Sequence, residues 1–218
     1  MAARLPAPRA PSMRLDDLAP GFPGDLDAGD RVDALTFTDL DLTGLSLANS
    51  TLSECDFDGL RGPDADLRGA RVLETRVRRV DVPVFRAPRS TWRDVLVEEG
   101  RLGSAELYDA NWTAVRFVGC KLGFVNLRGA TLTDVVFQDC RIDELDLGGA
   151  KVRRTAFPGS SIAVFAVQGA TFTDTDLRGA EFSEICGVES LRGATVDGDQ
   201  LALLAPLLAS AMGLRIQD

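Results

Sequence analysis

Large apolar side chains recur at every fifth position along most of this chain. In the register of Leu67, Leu127 and Leu177, the 31 positions from Val32 to Phe182 hold Leu, Phe, Val, Ile or Trp in 29 cases; only Gly62 and Ala87 depart. A period of five fits neither a helix, near 3.6, nor a strand, which alternates at 2, so the pattern predicts a solenoid rather than two packed layers. The stretch Ala65-Asp66-Leu67-Arg68-Gly69-Ala70 shows the period openly and returns in part at Asn126–Ala130, Asp176–Ala180 and Leu191–Ala194.

Two residues before each apolar centre stands a mostly small residue, as at Ser50, Cys55, Ala65, Ala110, Ala130 and Cys140. Alternate residues of an extended backbone face one side, so centre and small partner point inward and the other three positions outward. Glycine recurs two residues after the centre, as at Gly69 and Gly129, where the chain must turn a corner. Where the centre shrinks to Gly62 or Ala87, the inward partner grows to Leu60 or Phe85, which roughly keeps the interior volume.

These residues resemble the pentapeptide repeat family, whose motif is a small residue, a polar one, Leu or Phe, and two further polar residues. The resemblance covers residues 30–184 and implies an all-β solenoid, a right-handed quadrilateral β-helix of about eight 20-residue coils. Twenty-residue stacking sets Phe37, Phe57, Phe117, Phe137 and Phe157 on one wall and Leu47, Leu67, Leu107, Leu127 and Leu147 on another. Like then packs on like, as an interior of fixed width requires.

Residues 1–29 lie outside the register. Met1–Pro11 is Pro- and Ala-rich and reads as a loose tail, while Leu15, Leu18, Phe22 and Leu26 are apolar enough to cap the first coil, a plain linker being the alternative. Residues 185–218 form an irregular last coil and a helical element. The register slips by one residue after Phe182, so the next centres are Leu191 and Val196. Asp197-Gly198-Asp199 supplies a helix start, and Pro206 predicts two short helices or a kink. Leu203, Leu204, Leu207, Leu208, Met212 and Leu214 give this element more apolar surface than one face needs. In the family such an element often forms a dimer interface, so these residues are the candidate homodimer contact; a simple cap over the last coil is the other reading.

Composition narrows the chemistry. The chain of 218 residues carries a net charge of −9 and no histidine, which removes most hydrolase triads, the commonest metal ligand and the usual proton shuttle. The 4 cysteines have no metal-site spacing. Cys120 and Cys140, one coil apart, read as buried thiols rather than a disulfide. No catalytic, cofactor or metal residues are assigned, and no enzyme is expected. The acidity disfavours direct nucleic-acid binding. No apolar run approaches the roughly 20 residues of a membrane span, and the N-terminus lacks a signal core, which predicts a cytoplasmic protein.

Seven arginines between Arg71 and Arg93 suggest an anion site. Stacking instead pairs them with acids one coil away: Arg76 with Asp56, Arg78 with Asp58 and Glu98, Arg79 with Glu99, Arg86 with Asp66 and Glu106, and Arg89 with Asp109. Two columns lack such partners. Glu54, Glu74, Asp94, Asp134 and Asp174, interrupted by Ala114 and Arg154, form an acidic ladder, and Arg101, Lys121 and Arg141 a short basic one. Solvated surface is the plain reading of both, and partner binding the sharper one. Outward apolar residues are the other anomaly: Val84, Phe124 and Val164 share a column, with Val118 and Val136 elsewhere. The acidic ladder and Phe124 are the candidate partner-binding residues.

In length, acidity and apolar C-terminal end the chain resembles pentapeptide repeat proteins of the fluoroquinolone-resistance type. That implies an elongated dimer that imitates duplex DNA, binds DNA gyrase or another topoisomerase, and modulates it or protects it from inhibitors. Duplex DNA of the same length, about 37 Å, carries about 22 charges, so a chain at −9 makes at most a partial mimic. The alternative is a scaffold whose walls bind an unrelated protein.

Overall fold

The computed structural model describes residues 5–214, and they wind as a β-solenoid with twenty residues to the turn. Thr51 pairs with Arg71, Arg71 with Thr91, Thr91 with Asn111, Asn111 with Thr131, Thr131 with Lys151, and Lys151 with Thr171, all in parallel. A 13-stranded sheet includes Arg71–Arg78, Thr91–Glu98, Asn111–Val118 and Thr131–Gln138; a 7-stranded sheet runs from Asp64–Asp66 to Glu181–Cys186. Along one edge of the larger sheet ten strands stack in order, from Ala19–Pro20 to Ala194–Thr195. They enclose about nine turns, against the eight expected, because both ends add a shortened coil. Ala19 pairs with Leu35, sixteen residues on, and Thr175 with Ala194, nineteen on. The second offset is the one-residue slip read after Phe182.

The period of five becomes one continuous apolar interior from Leu26 to Ala180. Identical residues stack at the spacing of the strands: the Phe37 and Phe57 rings are 4.9 Å apart, Phe117 and Phe137 5.0 Å, and Phe137 and Phe157 5.5 Å. Burial of each ring contributes roughly 1.5–3 kcal/mol, and the stacked geometry roughly 0.5–1.5 kcal/mol more. Trp92 and Trp112 stack at 5.0 Å, although neither indole N–H has a partner among the described residues. Such an unpaired donor costs roughly 1–3 kcal/mol, so the volume of tryptophan outweighs its polarity here.

Around Gly62 and Ala87 the exchange of large and small residues is incomplete. Phe85 is buried and Leu60 half-buried, yet an apolar void of about 50 Å³ remains, lined by Leu42, Leu60, Ala65, Phe85 and Trp92 among others. Walls of this kind keep a void dry.

From Asn49 onward, three corners of each full coil use left-handed backbone. One such column holds Asn49, Gly69, Arg89, Asp109, Gly129, Gly149 and Gly169, all at positive φ. Gly129 combines φ +67° with a close approach: a Cβ there would lie 2.5 Å from Asp109 Oδ1. The fourth corner, at Val84, Ser104, Phe124, Glu144 and Val164, lies inside continuous strands with no positive φ.

Both ends are closed by means not visible in the repeat. Leu26 is buried as expected, but Phe22 is 65% exposed; its N–H is turned to Asp25 Oδ2 at 2.8 Å, in the one-turn helix Pro23–Asp25. Gly21 lies against the Phe37 ring instead, so close that a Cβ would fall 2.4 Å from a ring carbon. At the other end one helix, Gly198–Ala211, runs through Pro206, so of the two expectations at that proline, two short helices or a kink, the first does not hold. Asp197 and Gln200 form a reciprocal cap, and Gln200 Nε2 also donates to the carbonyls of Leu177 (2.6 Å) and Ala180 (2.8 Å), satisfying the last regular coil.

Truncating the central ring, Phe137→Ala, should lower the unfolding free energy by roughly 3–5 kcal/mol, while Thr131→Ala on the outer wall should stay within about 0.5 kcal/mol. Urea denaturation of the two variants measures the contrast.

Candidate functional site

The acidic ladder is also a corner. Glu54, Glu74, Asp94, Ala114, Asp134, Arg154 and Asp174 all have φ between 46° and 58°. Left-handed backbone is disfavoured for most side chains and tolerated best by Gly, Asn and Asp, which gives Asp94, Asp134 and Asp174 a backbone reason to be there. Proximity along the stack must then be offset by cations. Arg154 donates two hydrogen bonds of 2.7 Å to Asp134, and Arg93 lies 3.5 Å from Glu74 and 3.8 Å from Asp94.

The remaining compensation comes from the far end of the sequence. Arg9 N donates to Asp134 Oδ1 at 3.0 Å, Ser12 N to Asp94 Oδ1 at 3.1 Å, and the Arg9 guanidinium sits 3.2 Å from Asp94. Residues 9–12 therefore run along the stack as an extended strap. Asp94 and Asp134 are only 7% and 5% exposed, and Ala114 between them is fully buried. Further along, Leu5–Pro8 line a crevice with Arg116, Val136, Ala156 and Asp176. The outward Val136 is accordingly buried. Met1–Pro11, read from sequence as a loose tail, is thus seated on the wall from Leu5 onward; Met1–Arg4 lie outside the described residues. The Arg154 guanidinium, opposed by burial and helped by the Arg9 N–H, holds the Asp134 carboxyl below the usual carboxylate range.

The arginine band is paired, though with partners other than some of those expected. Arg76 meets Asp56 at 2.6 Å as read. Arg78 bridges Asp56 and Asp58, at 3.1 and 3.4 Å, and Arg79 takes Asp58 at 2.7 Å rather than Glu99. Arg86 reaches Asp64 at 2.7 Å, and Asp66 pairs with Arg68, two residues on, at 2.8 Å. Arg89 and Asp109 form no ion pair among the described residues. Burial raises the Asp56 carboxyl, but Arg76 and Arg78 outweigh it and leave it below the usual range.

The other candidates are scattered. Phe124 is half-buried in the small sheet between Ser104 and Glu144, on a different corner from the acidic ladder. Arg101, Lys121 and Arg141 are exposed neighbours in register, and Arg141 lies 3.8 Å from Asp143. Glu54, Glu74 and Asp174 are half-buried without strap contacts among the described residues. Cys120 and Cys140 are buried free thiols, and the hydrogen bond with Cys120 together with burial pushes Cys140 up. Of the C-terminal candidates, Leu204 is buried against the chain and Leu208 half-buried. Leu203, Leu207, Met212 and Leu214 are 73%, 43%, 76% and 60% exposed, and Leu201, not singled out from sequence, is 51% exposed.

The model for pentapeptide repeats, in 8 copies, matches residues 101–134 and 116–154. No curated protein matches the sequence. Among solved structures, HetL, a pentapeptide repeat protein involved in heterocyst differentiation regulation from the cyanobacterium Nostoc sp. strain PCC 7120, is 17% identical. That match covers 78% of this chain and 90% of HetL at a TM-score of 0.40. Full-length QnrB1, a plasmid-mediated fluoroquinolone resistance protein, is 18% identical over 84% of this chain and 91% of its own, at a TM-score of 0.36.

Asp134→Ala strands the Arg154 guanidinium and the Arg9 N–H, so it should cost roughly 1.5–3 kcal/mol at pH 7. Because the folded carboxyl titrates below its unfolded value near 3.9, this contribution is complete above that pH and is lost as pH falls through the lower folded value. Urea midpoints of parent and variant, well separated at pH 7, should draw together as the pH falls below the unfolded value and through the lower folded one.

Proposed function

We propose that this pentapeptide-repeat solenoid is a non-catalytic protein-binding module that works as a homodimer through its C-terminal helix. The observation that carries the dimer is a surplus of apolar surface. Capping of the last coil is already accomplished by Gln200 and Leu204, yet Leu201, Leu203, Leu207, Met212 and Leu214 stay exposed on or beside the same helix. A cap alone leaves them without a task, whereas a second copy of the helix would cover them. Protein binding is supported by the walls, whose strands are fully paired along the stack and present only side chains, in a chain of net charge −9 that favours basic partner surfaces.

The finer reading is a partial DNA mimic that binds DNA gyrase or another topoisomerase and modulates it or protects it from inhibitors. It rests on the sequence resemblance and on acidity. Asp94 and Asp134 already carry Arg9 and Arg154, so any mimicry falls on acids outside their part of the ladder. A scaffold for an unrelated protein is the other class.

Light scattering should find a particle of twice 23.4 kDa, reduced to 23.4 kDa by Leu203→Glu with Leu207→Glu. A parent that stays monomeric at high concentration contradicts the dimer. In a supercoiling assay with purified gyrase, inhibition or protection from a poison at micromolar protein supports the finer reading, and no effect in either format removes it.

A further inference from the structure

The strap fits the wall it lies on closely enough to define what that wall recognises. Asp134 and Asp94 stand two turns apart, about 9.6 Å at the strand spacing, and Arg9 to Ser12 is three residues, about 10 Å when extended. An extended segment running along the stack thus offers an N–H to each carboxylate in step, with two residues free to pass over Ala114. Small side chains suit that crossing, and Ala10-Pro11 supplies them. Pro6, Pro8 and Pro11 hold the segment extended before it docks, which lowers the entropy cost of seating. The arginine adds charge: its guanidinium reaches Asp94, the next carboxylate along from the one its own N–H binds.

The hold is modest. Two N–H bonds, one ion pair with a half-exposed arginine and the crevice around Val136 keep the strap down, aided by its tether to the first coil. A tethered segment of this kind acts at a millimolar effective concentration and yields to a better ligand in solution.

We propose that the wall carrying Asp94, Ala114, Asp134 and Val136 is a docking seat for an extended, Arg- and Pro-containing segment of a partner protein, and that residues 5–14 are its resident intramolecular occupant. Displacement of the strap frees the acceptor positions that Arg9 and Ser12 fill on the two carboxylates and bares Val136, while Arg154 stays on Asp134. The seat rests on the protein-binding reading only in taking a protein as partner, and it requires neither gyrase nor the helix-mediated dimer.

The test uses the full chain with Arg9→Pro and Ser12→Pro, which remove both N–H donors and the guanidinium, and a fluorescent peptide with the sequence of residues 5–14. Anisotropy should show the peptide binding the double variant roughly tenfold or more tighter than the parent. Adding Asp94→Ala and Asp134→Ala to the double variant should abolish that binding. Circular dichroism confirms the folded solenoid, and Ser12→Pro alone serves if the double variant does not fold. Absence of saturable binding to the opened variant, or equal binding to both proteins, overturns the proposal. So does a dimeric parent that turns monomeric in the double variant, which assigns the seat to exchange of straps between copies. Light scattering after Leu203→Glu with Leu207→Glu tests the helix-mediated dimer separately, so the two ideas fail independently.

Discussion

An interior of constant width is the constraint on which the rest of this molecule depends. Parallel strands stack at about 4.8 Å, so each coil must deliver the same four large side chains to the same four places. Phe117, Phe137 and Phe157 meet that demand by repeating one ring at centroid separations of 5.0 and 5.5 Å. Where a coil fails to deliver, at Gly62 and Ala87, the neighbouring inward residue swells and a void is still left. With the inside so restricted, variation is confined to the outward positions and to the two ends.

Stacking also creates a problem on the outside. A corner that favours aspartate does so in every coil, and aspartates one or two turns apart repel. The column answers in two ways: Arg154 breaks the series and clamps Asp134, and the N-terminal strap brings Arg9 and two backbone N–H groups onto Asp134 and Asp94. Compensation of this sort is local, so the net charge of −9 is spread unevenly over the walls. It also turns a structural column into a surface with defined acceptors at a defined spacing.

The parts of the fold legible in sequence are those set by the repeat. Period, coil length, the inward columns and the slip to nineteen residues at Ala194 all follow from the placement of Leu, Phe and Val. Long-range pairing left no such trace. Arg9 and Ser12 find partners 125 and 82 residues away, and a Pro- and Ala-rich segment has no period to announce a seat. Gln200 has no place in the repeat, yet its amide closes the last coil. Phe22 looked like a cap from its apolarity, while the residue that covers Phe37 is Gly21, chosen for having no side chain. Among the arginines, column membership identified charge compensation but not each partner, because long side chains choose diagonally, as Arg79 does in taking Asp58.

Backbone hydrogen exchange of the parent chain tests the seated strap most directly. The amides of Arg9 and Ser12 should exchange slowly at neutral pH, and Asp94→Ala with Asp134→Ala should return both to the rate of an unstructured peptide while the Phe137 amide stays protected. Free exchange of Arg9 and Ser12 in the parent would contradict the account, leaving the wall an ordinary acidic surface with a loose tail beside it.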